Sequence, residues 1–145
     1  MYDDILVPTD GSDASEEAIT HAVDVASKYD ARLHALYVVD AGSYATLEAG
    51  TEMVLNALQE EGEQAVRRVE AAADEAGVEV RTTVVTGTAF REILDYVDEN
   101  GVDLVVMGTH GRKGLDRYLL GSVTERVVRS ADVPVLTVRH QRPES

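Results

Sequence analysis

The sequence contains no cysteine, only three prolines and no long hydrophobic run. Without cysteine the chain has no disulfide, no thiolate metal site and no cysteine nucleophile. No apolar stretch approaches the roughly 20 residues that a membrane-spanning helix needs. The first residues, MYDDILVPTDG, carry acid where a signal peptide has basic residues. We therefore expect a cytoplasmic protein that forms one domain over residues 1–145.

Lysine is scarce, whereas acidic residues are abundant. Lys28 and Lys113 are the two lysines, and 27 Asp and Glu residues against 13 Lys and Arg residues give a formal net charge of −14. An acidic surface with little lysine is typical of proteins that stay soluble in multimolar salt, so we expect a halophilic archaeal source. The same charge argues against nonspecific binding to nucleic acid or to anionic membranes.

The charge is unevenly distributed along the chain. Residues 1–107 carry six basic and 23 acidic residues, whereas residues 108–142 carry seven basic and three acidic residues. An anionic ligand is therefore expected to bind in the second, basic region.

Strand-like and helix-like segments alternate along the sequence. Short apolar runs predict five strands, and amphipathic stretches predict four helices. The predicted strands are Asp4–Pro8, Arg32–Val39, Val78–Val85, Val102–Met107 and Val133–Arg139. The predicted helices run from Ser12 or Asp13 to about Lys28, from Glu52 to Ala76, from Ala89 to Asn100 and from Val123 to Ala131. Such alternation is typical of an α/β fold with a mainly parallel sheet and helices on both faces.

The loops after the first and fourth strands are the predicted ligand site. In open parallel sheets, ligands bind beyond the carboxyl ends of the strands, where the strand order reverses. Residues Thr9–Ser12 and Gly108–Gly121 follow the two strands that would flank such a crevice.

A glycine-rich segment follows the fourth predicted strand. It reads Gly108-Thr109-His110-Gly111, then nine residues, then Gly121-Ser122 before the last predicted helix. Glycines let backbone N–H groups approach a phosphate, and the start of a helix presents unpaired N–H groups with a partial positive charge. The segment therefore predicts binding of nucleotide phosphates, although it contains neither a Walker A loop nor a dinucleotide fingerprint.

Several polar residues near this crevice allow two interpretations. Ser122 and Glu125 match the capping box S-x-x-E, and the Ser122 hydroxyl could also donate to a phosphate oxygen. Asp10 could cap the following helix, or it could accept hydrogen bonds from ribose hydroxyls or an adenine amine. The basic residues that could either contact phosphates or lie in solvent are Arg112, Lys113 and Arg117.

The histidines do not predict a catalytic or metal site. His110 lies within the glycine-rich segment, but no Asp, Ser or second His has sequence support as its orienting partner, so its backbone N–H is the more useful group. The remaining histidines, His21, His34 and His140, show no metal-ligand spacing. No catalytic residue is assigned, and no protein ligand for a metal can be named from the sequence.

Three motifs together resemble the universal stress protein domain of the nucleotide-binding type. They are Val-Pro-Thr-Asp-Gly-Ser at 7–12, the strand Leu36-Tyr37-Val38-Val39, and G-x2-G-x9-G-[ST] at 108–122. The resemblance covers essentially the whole chain. It implies a three-layer α/β/α, Rossmann-like fold with a five-stranded parallel sheet in the order 3-2-1-4-5.

The resemblance also implies ATP as the ligand, normally accompanied by Mg²⁺ or Mn²⁺. In the ATP-binding branch, Asp10 would contact the nucleoside, and backbone groups at Val38 would hold the adenine. The implied adenine and ribose positions are Pro8, Thr9, Asp10, Val38 and Met107. The implied phosphate positions are Gly108, His110, Gly111, Arg112, Gly121, Ser122, Val123 and Thr124.

A homodimer through the last strand is a further expectation, because the family commonly forms one there. In the strand order 3-2-1-4-5, Val133–Arg139 is an edge strand, and its alternating Val133, Val135 and Leu136 favour pairing with a second copy. Pro134 is tolerated at such an edge.

Three functions are compatible with these observations. The first is an ATP-binding regulatory protein of the stress response with little or no turnover, the second a slow nucleotide hydrolase or transferase, and the third an interaction module that binds no nucleotide. The intact glycines disfavour the third function. The lack of a convincing base to orient water favours binding over catalysis.

Overall fold

In a computed structural model of the chain, residues 1–11, 13–40, 51–109 and 117–139 are described. The strands are β1 Asp4–Pro8, β2 Arg32–Val39, β3 Val80–Thr86, β4 Leu104–Gly108 and β5 Val135–Val138. The helices are α1 Asp13–Tyr29, α2 Thr51–Glu75, α3 Ala89–Asn100 and α4 Arg117–Ser130. The predicted bounds of β1, β2 and α3 are confirmed, whereas β5 is shorter than predicted at both ends.

The five strands form one parallel sheet in the order β3-β2-β1-β4-β5. This confirms the predicted order. Each of the first four strands is followed by a helix that returns the chain to the same end of the sheet, which is why all strands point in one direction. The carboxyl ends of β1 and β4 therefore lie side by side.

Alternate residues of the central strands face two separate apolar cores. On one face, α1 and α2 cover Ile5 and Val7 of β1 and their neighbours. On the other face, α3 and α4 cover Leu6 of β1 and Leu36 of β2. Because both faces are covered, the central strands are almost continuously apolar, as β1 and β2 show in the sequence.

Three helices end in the same way. A residue with positive φ follows the helix, and the N–H of the next residue donates a hydrogen bond to the carbonyl five positions earlier. The positive-φ residues are Asp30, Gly77 and Gly101, and the hydrogen bonds run from Ala31 to Ala26, from Val78 to Ala73 and from Val102 to Val97. Val78 and Val102 thus complete helix ends. β3 and β4 therefore begin two residues after their predicted starts.

Helix α2 approaches the sheet closely at Gly62, which is buried. A Cβ atom at this position would lie 2.6 Å from Cδ1 of Tyr37, a ring that is 3% exposed on β2. Glycine at position 62 therefore serves as a contact surface for an aromatic ring.

A polar network joins β1, β2 and α3 near the amino ends of the strands. His34 is 1% exposed; its Nε2 lies 2.9 Å from Oδ1 of Asp4, and its Nδ1 lies 2.7 Å from the Tyr96 hydroxyl oxygen. In a neutral imidazole, the Asp4 carboxylate, which only accepts when ionised, requires the proton on Nε2, and Nδ1 is then the acceptor of the Tyr96 O–H. Both ring nitrogens of this buried histidine are satisfied.

Within the described helices, none combines the length and the apolar character that crossing a membrane requires.

Candidate functional site

The candidate site lies where β1 and β4 end. These two strands are neighbours at the centre of the sheet. The strand that follows β1 in the chain, β2, lies on one side of this pair, and the strand that follows β4, β5, lies on the other. The β1–β4 register contains two residue pairs, the last of which joins Leu6 to Val105. In contrast, β1 pairs with β2 over five positions, as far as Pro8 and Leu36. The β1–β4 pairing thus ends early, at the reversal of strand order, which is where open parallel sheets have their ligand crevice.

Pro8 provides a physical reason for this separation. The Thr9 N–H donates to the Leu36 carbonyl at 2.9 Å, so the backbone groups of Thr9 face β2. The backbone N–H and C=O groups of successive strand residues point to opposite sides, so the backbone groups of Pro8 face β4. A proline has no N–H, so the next hydrogen bond of the β1–β4 ladder cannot form.

The turn after β1 has a conformation that requires glycine. Thr9 is buried, and its Oγ1 accepts a hydrogen bond from the Gly11 N–H at 3.1 Å. Gly11 has a φ of +80°, a conformation that residues with a Cβ avoid. The turn places Asp10 at the mouth of the crevice.

Asp10 is held in place by Ser15 in the first turn of α1. The Ser15 hydroxyl donates to Oδ1 of Asp10 at 2.7 Å, and its oxygen accepts from the Asp10 N–H at 3.2 Å. Ser15 is buried, so this reciprocal pair restricts the direction of the carboxylate. This pair joins Asp10 to the start of α1 through a side chain, and the carboxylate can still accept further hydrogen bonds, as the nucleoside interpretation requires.

The backbone N–H and C=O groups of Val38 point toward β1. The Leu36 carbonyl accepts from Thr9, so even-numbered residues of β2 turn their N–H and C=O groups toward β1. Val38 lies beyond the last β1–β2 register pair, Pro8 with Leu36. Its backbone groups therefore face the region around the turn at Thr9–Gly11.

The β4 side of the crevice is tied to α4 and β5. The Thr124 hydroxyl, 6% exposed, donates to the Gly108 carbonyl at 3.0 Å, and the Thr109 N–H donates to the Val138 carbonyl at 3.0 Å. Met107 is buried under this end of the strand. Thr124 thus positions α4 against the first glycine of the glycine-rich segment.

Helix α4 begins at Arg117, so its predicted start at Val123 was wrong. Gly121 was interpreted as a helix boundary, but one glycine within a helix costs only about 1 kcal/mol relative to alanine. Ser122 lies in the interior of α4 and is not an N-cap, so the capping-box interpretation with Glu125 is wrong as well. From Gly121 onward, backbone N–H groups belong to the helical hydrogen bonds, whereas the Ser122 side chain is exposed.

The predicted nucleotide positions fall into two groups. The described ones lie at the ends of β1, β2 and β4 and in α4, and they are Pro8, Thr9, Asp10, Val38, Met107, Gly108, the backbone of Gly121, Ser122, Val123 and Thr124. His110, Gly111 and Arg112 lie outside the described residues. Because the strands are parallel, the predicted positions at the ends of β1, β2 and β4 lie together at the carboxyl end of the sheet.

Two residues near the crevice escaped the sequence analysis. Ser15 gave no signal except its place in the first turn after Asp10. Arg68 is one of two adjacent arginines in an otherwise acid-rich helix; its Nη1 lies 3.5 Å from the Gly11 carbonyl oxygen and 3.9 Å from Oε1 of Glu16. The isolated basic pair in α2 was the available signal for this contact with the β1 turn.

The described residues offer no cluster of metal ligands: no three His, Cys, Asp or Glu side chains among them are grouped to hold an ion. The two described histidines have other contacts. His34 lies near the amino ends of the strands, and Nδ1 of His21 lies 2.9 Å from the Glu17 carbonyl oxygen within α1.

The chain matches the model of the universal stress protein family over residues 1–139. It is 42% identical to universal stress protein MJ0531 of Methanocaldococcus jannaschii, over 99% of this chain and 86% of the relative.

Solved structures agree with this match. Universal stress protein UspA from Lactobacillus plantarum superposes with a TM-score of 0.86 at 34% identity, with 95% of this chain and 98% of that chain covered. A universal stress protein crystallised in complex with cAMP superposes with a TM-score of 0.70 at 27% identity, with 94% and 96% covered. The family model, the sequence relative and the shared fold lead to one conclusion: this chain belongs to the universal stress protein family.

Proposed function

We propose that the protein binds ATP in the crevice between β1 and β4 and acts as a regulator in the stress response, with little or no turnover. The observation that carries the proposal is the early end of the β1–β4 ladder at the reversal of strand order, with Asp10 fixed at one side and Gly108 at the other. The cAMP complex of a structural relative supports an adenine nucleotide as the ligand class.

The β1 and β2 ends provide groups that suit a nucleoside. The Asp10 carboxylate is a strong acceptor for ribose hydroxyls, and its direction is restricted by Ser15. The Val38 backbone offers one donor and one acceptor, which is what the edge of an adenine ring requires. Buried Met107 and Thr9 support this end of the sheet.

The β4 and α4 side is proposed for the phosphates. The basic residues of the chain concentrate in residues 108–142, and the glycine-rich segment starts at the end of β4. Because the α4 N–H groups from Gly121 onward are used within the helix, we assign the phosphate contact at this position to the Ser122 hydroxyl. His110, Gly111 and Arg112 remain assigned to the phosphates from the sequence motif.

A divalent cation is proposed to arrive with the nucleotide. Mg²⁺ keeps several water ligands and is commonly bound through substrate phosphates and one or two carboxylates. Asp10 is a carboxylate at the crevice, which is compatible with Mg²⁺ or Mn²⁺ held mainly by phosphate oxygens and water.

Binding without rapid hydrolysis follows from the groups assigned to the crevice. They hold a nucleotide in place, and binding the substrate and the transition state equally gives affinity without rate. We propose that the nucleotide acts by altering a surface that a partner protein contacts. The cytoplasm is the proposed location, and the acidic, lysine-poor surface is proposed to be an adaptation to high salt.

Replacing Asp10 with alanine tests the proposed site. We expect a loss of ATP affinity of about ten- to a hundredfold, because hydrogen bonds to a charged group contribute about 1.5–3 kcal/mol. Isothermal titration of nucleotide-free protein with ATP and Mg²⁺ measures the change. Asp24→Ala is the matched control, since it removes the same charge from the exposed face of α1. Equal affinity of Asp10→Ala and Asp24→Ala would refute the assignment.

We also propose a homodimer through β5. The Val105 N–H donates to the Pro134 carbonyl, so the backbone groups of Val135 and Thr137 face the open edge. A strand of four residues offers few hydrogen bonds to a second copy. Burial of apolar side chains such as Leu136, which is 39% exposed, would have to contribute to the pairing.

Leu136→Asp is therefore expected to convert the dimer to a monomer, because two like charges would meet across the pair. Light scattering at several protein concentrations measures the mass. Met53→Asp, at an exposed position of α2, is the control and should leave the mass unchanged. A monomeric mass for the unmodified protein would contradict the proposal.

A further inference from the structure

Strand β3 forms the other edge of the sheet. It pairs with β2 over seven residues, from Val80 to Thr86, and within the described residues β2 is its one neighbour. Natural edge strands are commonly protected by shortness, proline, bulges or several charges. β3 is longer than β5, contains no proline, and has Arg81 as its one charged residue.

The hydrogen bonds of β3 to β2 define which backbone groups face outward. The Leu33 N–H donates to the Glu79 carbonyl, and the Gly87 N–H donates to the Val39 carbonyl. Odd-numbered residues between them therefore face β2. The N–H and C=O groups that face the open side belong to Val80, Thr82, Val84 and Thr86. They form a template for one more strand.

Two grooves accompany this edge, one on each face of the sheet. The groove toward α3 has a volume of about 480 Å³ and is lined by Arg81, Thr82, Thr83 and Val85 of β3, by Leu36 of β2 and by one face of α3. The groove toward α2 has a volume of about 320 Å³ and is lined by Thr82, Thr83 and Val84 of β3 and by residues of α2. An added strand directs alternate side chains to the two faces, so each groove would receive every second side chain.

Both grooves carry an excess of acid. The α3 groove has three carboxylates, Glu92, Asp95 and Glu99, against the guanidinium of Arg81. The α2 groove has two carboxylates, Glu63 and Glu70, against the guanidinium of Arg67. Lys or Arg side chains in these grooves would extend their apolar stems along the walls and pair their charged ends with the carboxylates.

We propose that the β3 edge binds an extended, basic segment of another protein by strand addition. The backbone template supplies the hydrogen bonds, and the two acidic grooves select the basic side chains. A second copy of this chain fits less well, because pairing β3 with β3 would bring the acidic faces of α2 and α3 from two molecules together. The surface lies at the opposite edge of the sheet from β5 and does not depend on the nucleotide site.

A fluorescein-labelled ten-residue peptide that repeats Lys-Lys-Thr-Thr is a direct probe, because in an extended strand it presents lysine on both faces. We expect it to bind the full chain in fluorescence anisotropy titrations at least about tenfold more tightly than a glutamate–threonine peptide of the same length. N-methylation of two adjacent central residues places one methyl group on each edge of the peptide without changing its charge, and it should also weaken binding at least about tenfold. Backbone amide shifts on binding should include Val80, Thr82, Val84 and Thr86.

Variants of the protein complete the test. Thr82→Pro removes an outward N–H without removing a hydrogen bond to β2, and should abolish detectable binding, whereas Thr82→Val should preserve it. Asp95→Asn combined with Glu99→Gln should weaken binding several-fold. Equal affinity of the plain and N-methylated peptides would overturn strand addition even if Thr82→Pro failed to fold. Equal affinity of the lysine and glutamate peptides would overturn the charge assignment.

Discussion

Replacing His34 with alanine is expected to lower the free energy of unfolding by about 3 kcal/mol. The side chain is 1% exposed and bonds Asp4 of β1 and Tyr96 of α3 at 2.9 and 2.7 Å. Its removal leaves a cavity, and the Tyr96 hydroxyl and Asp4 Oδ1 lose these bonds in a partly buried place. Urea denaturation followed by circular dichroism measures the change through the shift in midpoint.

Two further variants separate the cavity from the hydrogen bonds. Tyr96→Phe removes one hydroxyl and should cost about 1 kcal/mol, and its effect should largely disappear when His34 is already alanine. Lys28→Ala, which removes the exposed i,i+4 pair with Asp24, is the control and should cost less than about 0.5 kcal/mol. Additive effects of Tyr96→Phe and His34→Ala would show that the network does not act as a unit.

Gly62→Val is expected to destabilise the protein by about 2–3 kcal/mol. At a solvent-exposed position of a helix, replacing glycine with another residue would stabilise the protein by up to about 1 kcal/mol. Here the new Cβ would lie 2.6 Å from Cδ1 and 3.0 Å from Cγ of Tyr37, so α2 or the ring must move. The ring is buried, and its hydroxyl contacts Glu61 at 3.4 Å, which restricts that movement.

The matched test uses the contact partner. Tyr37→Ala removes the ring atoms that the new Cβ would meet, so a Gly62→Ala substitution should be destabilising in the natural background and close to neutral in the Tyr37→Ala background. Thermal unfolding of the four proteins measures the coupling. Equal effects of Gly62→Ala in both backgrounds would show that Tyr37 is not the obstacle.

Most element positions could be predicted because they depend on local pattern, whereas the strand order was predicted from the resemblance to the universal stress protein domain. β2 reads as a mostly apolar run with turn residues on both sides, and its bounds at Arg32 and Val39 agree with the structure. The starts of β3 and β4 were placed too early, since buried Val78 and Val102 look like strand residues although their N–H groups close helices. Apolarity alone does not reveal the hydrogen-bond partner.

The parts of the site that could not be predicted depend on contacts between distant segments. Asp10 was found because it follows a strand, but the Ser15 hydroxyl that holds it became visible only when α1 was placed. His34 showed no pattern in the sequence, because Asp4 and Tyr96 are 30 and 62 residues away. The sequence offered no reason for a glycine at position 62 within a helix, and the contact with Tyr37 provides one.

The proline at the end of β1 also bears on the energetics of the empty crevice. A crevice between two parallel strands could close in the absence of a ligand if the strands extended their ladder, and binding would then first have to break sheet hydrogen bonds. Pro8 removes the donor that such closure would use at its first step. A closed conformation, in which β1 and β4 extend their pairing, is therefore less populated. Ligand binding then loses less free energy to the conversion of that closed conformation to the open one.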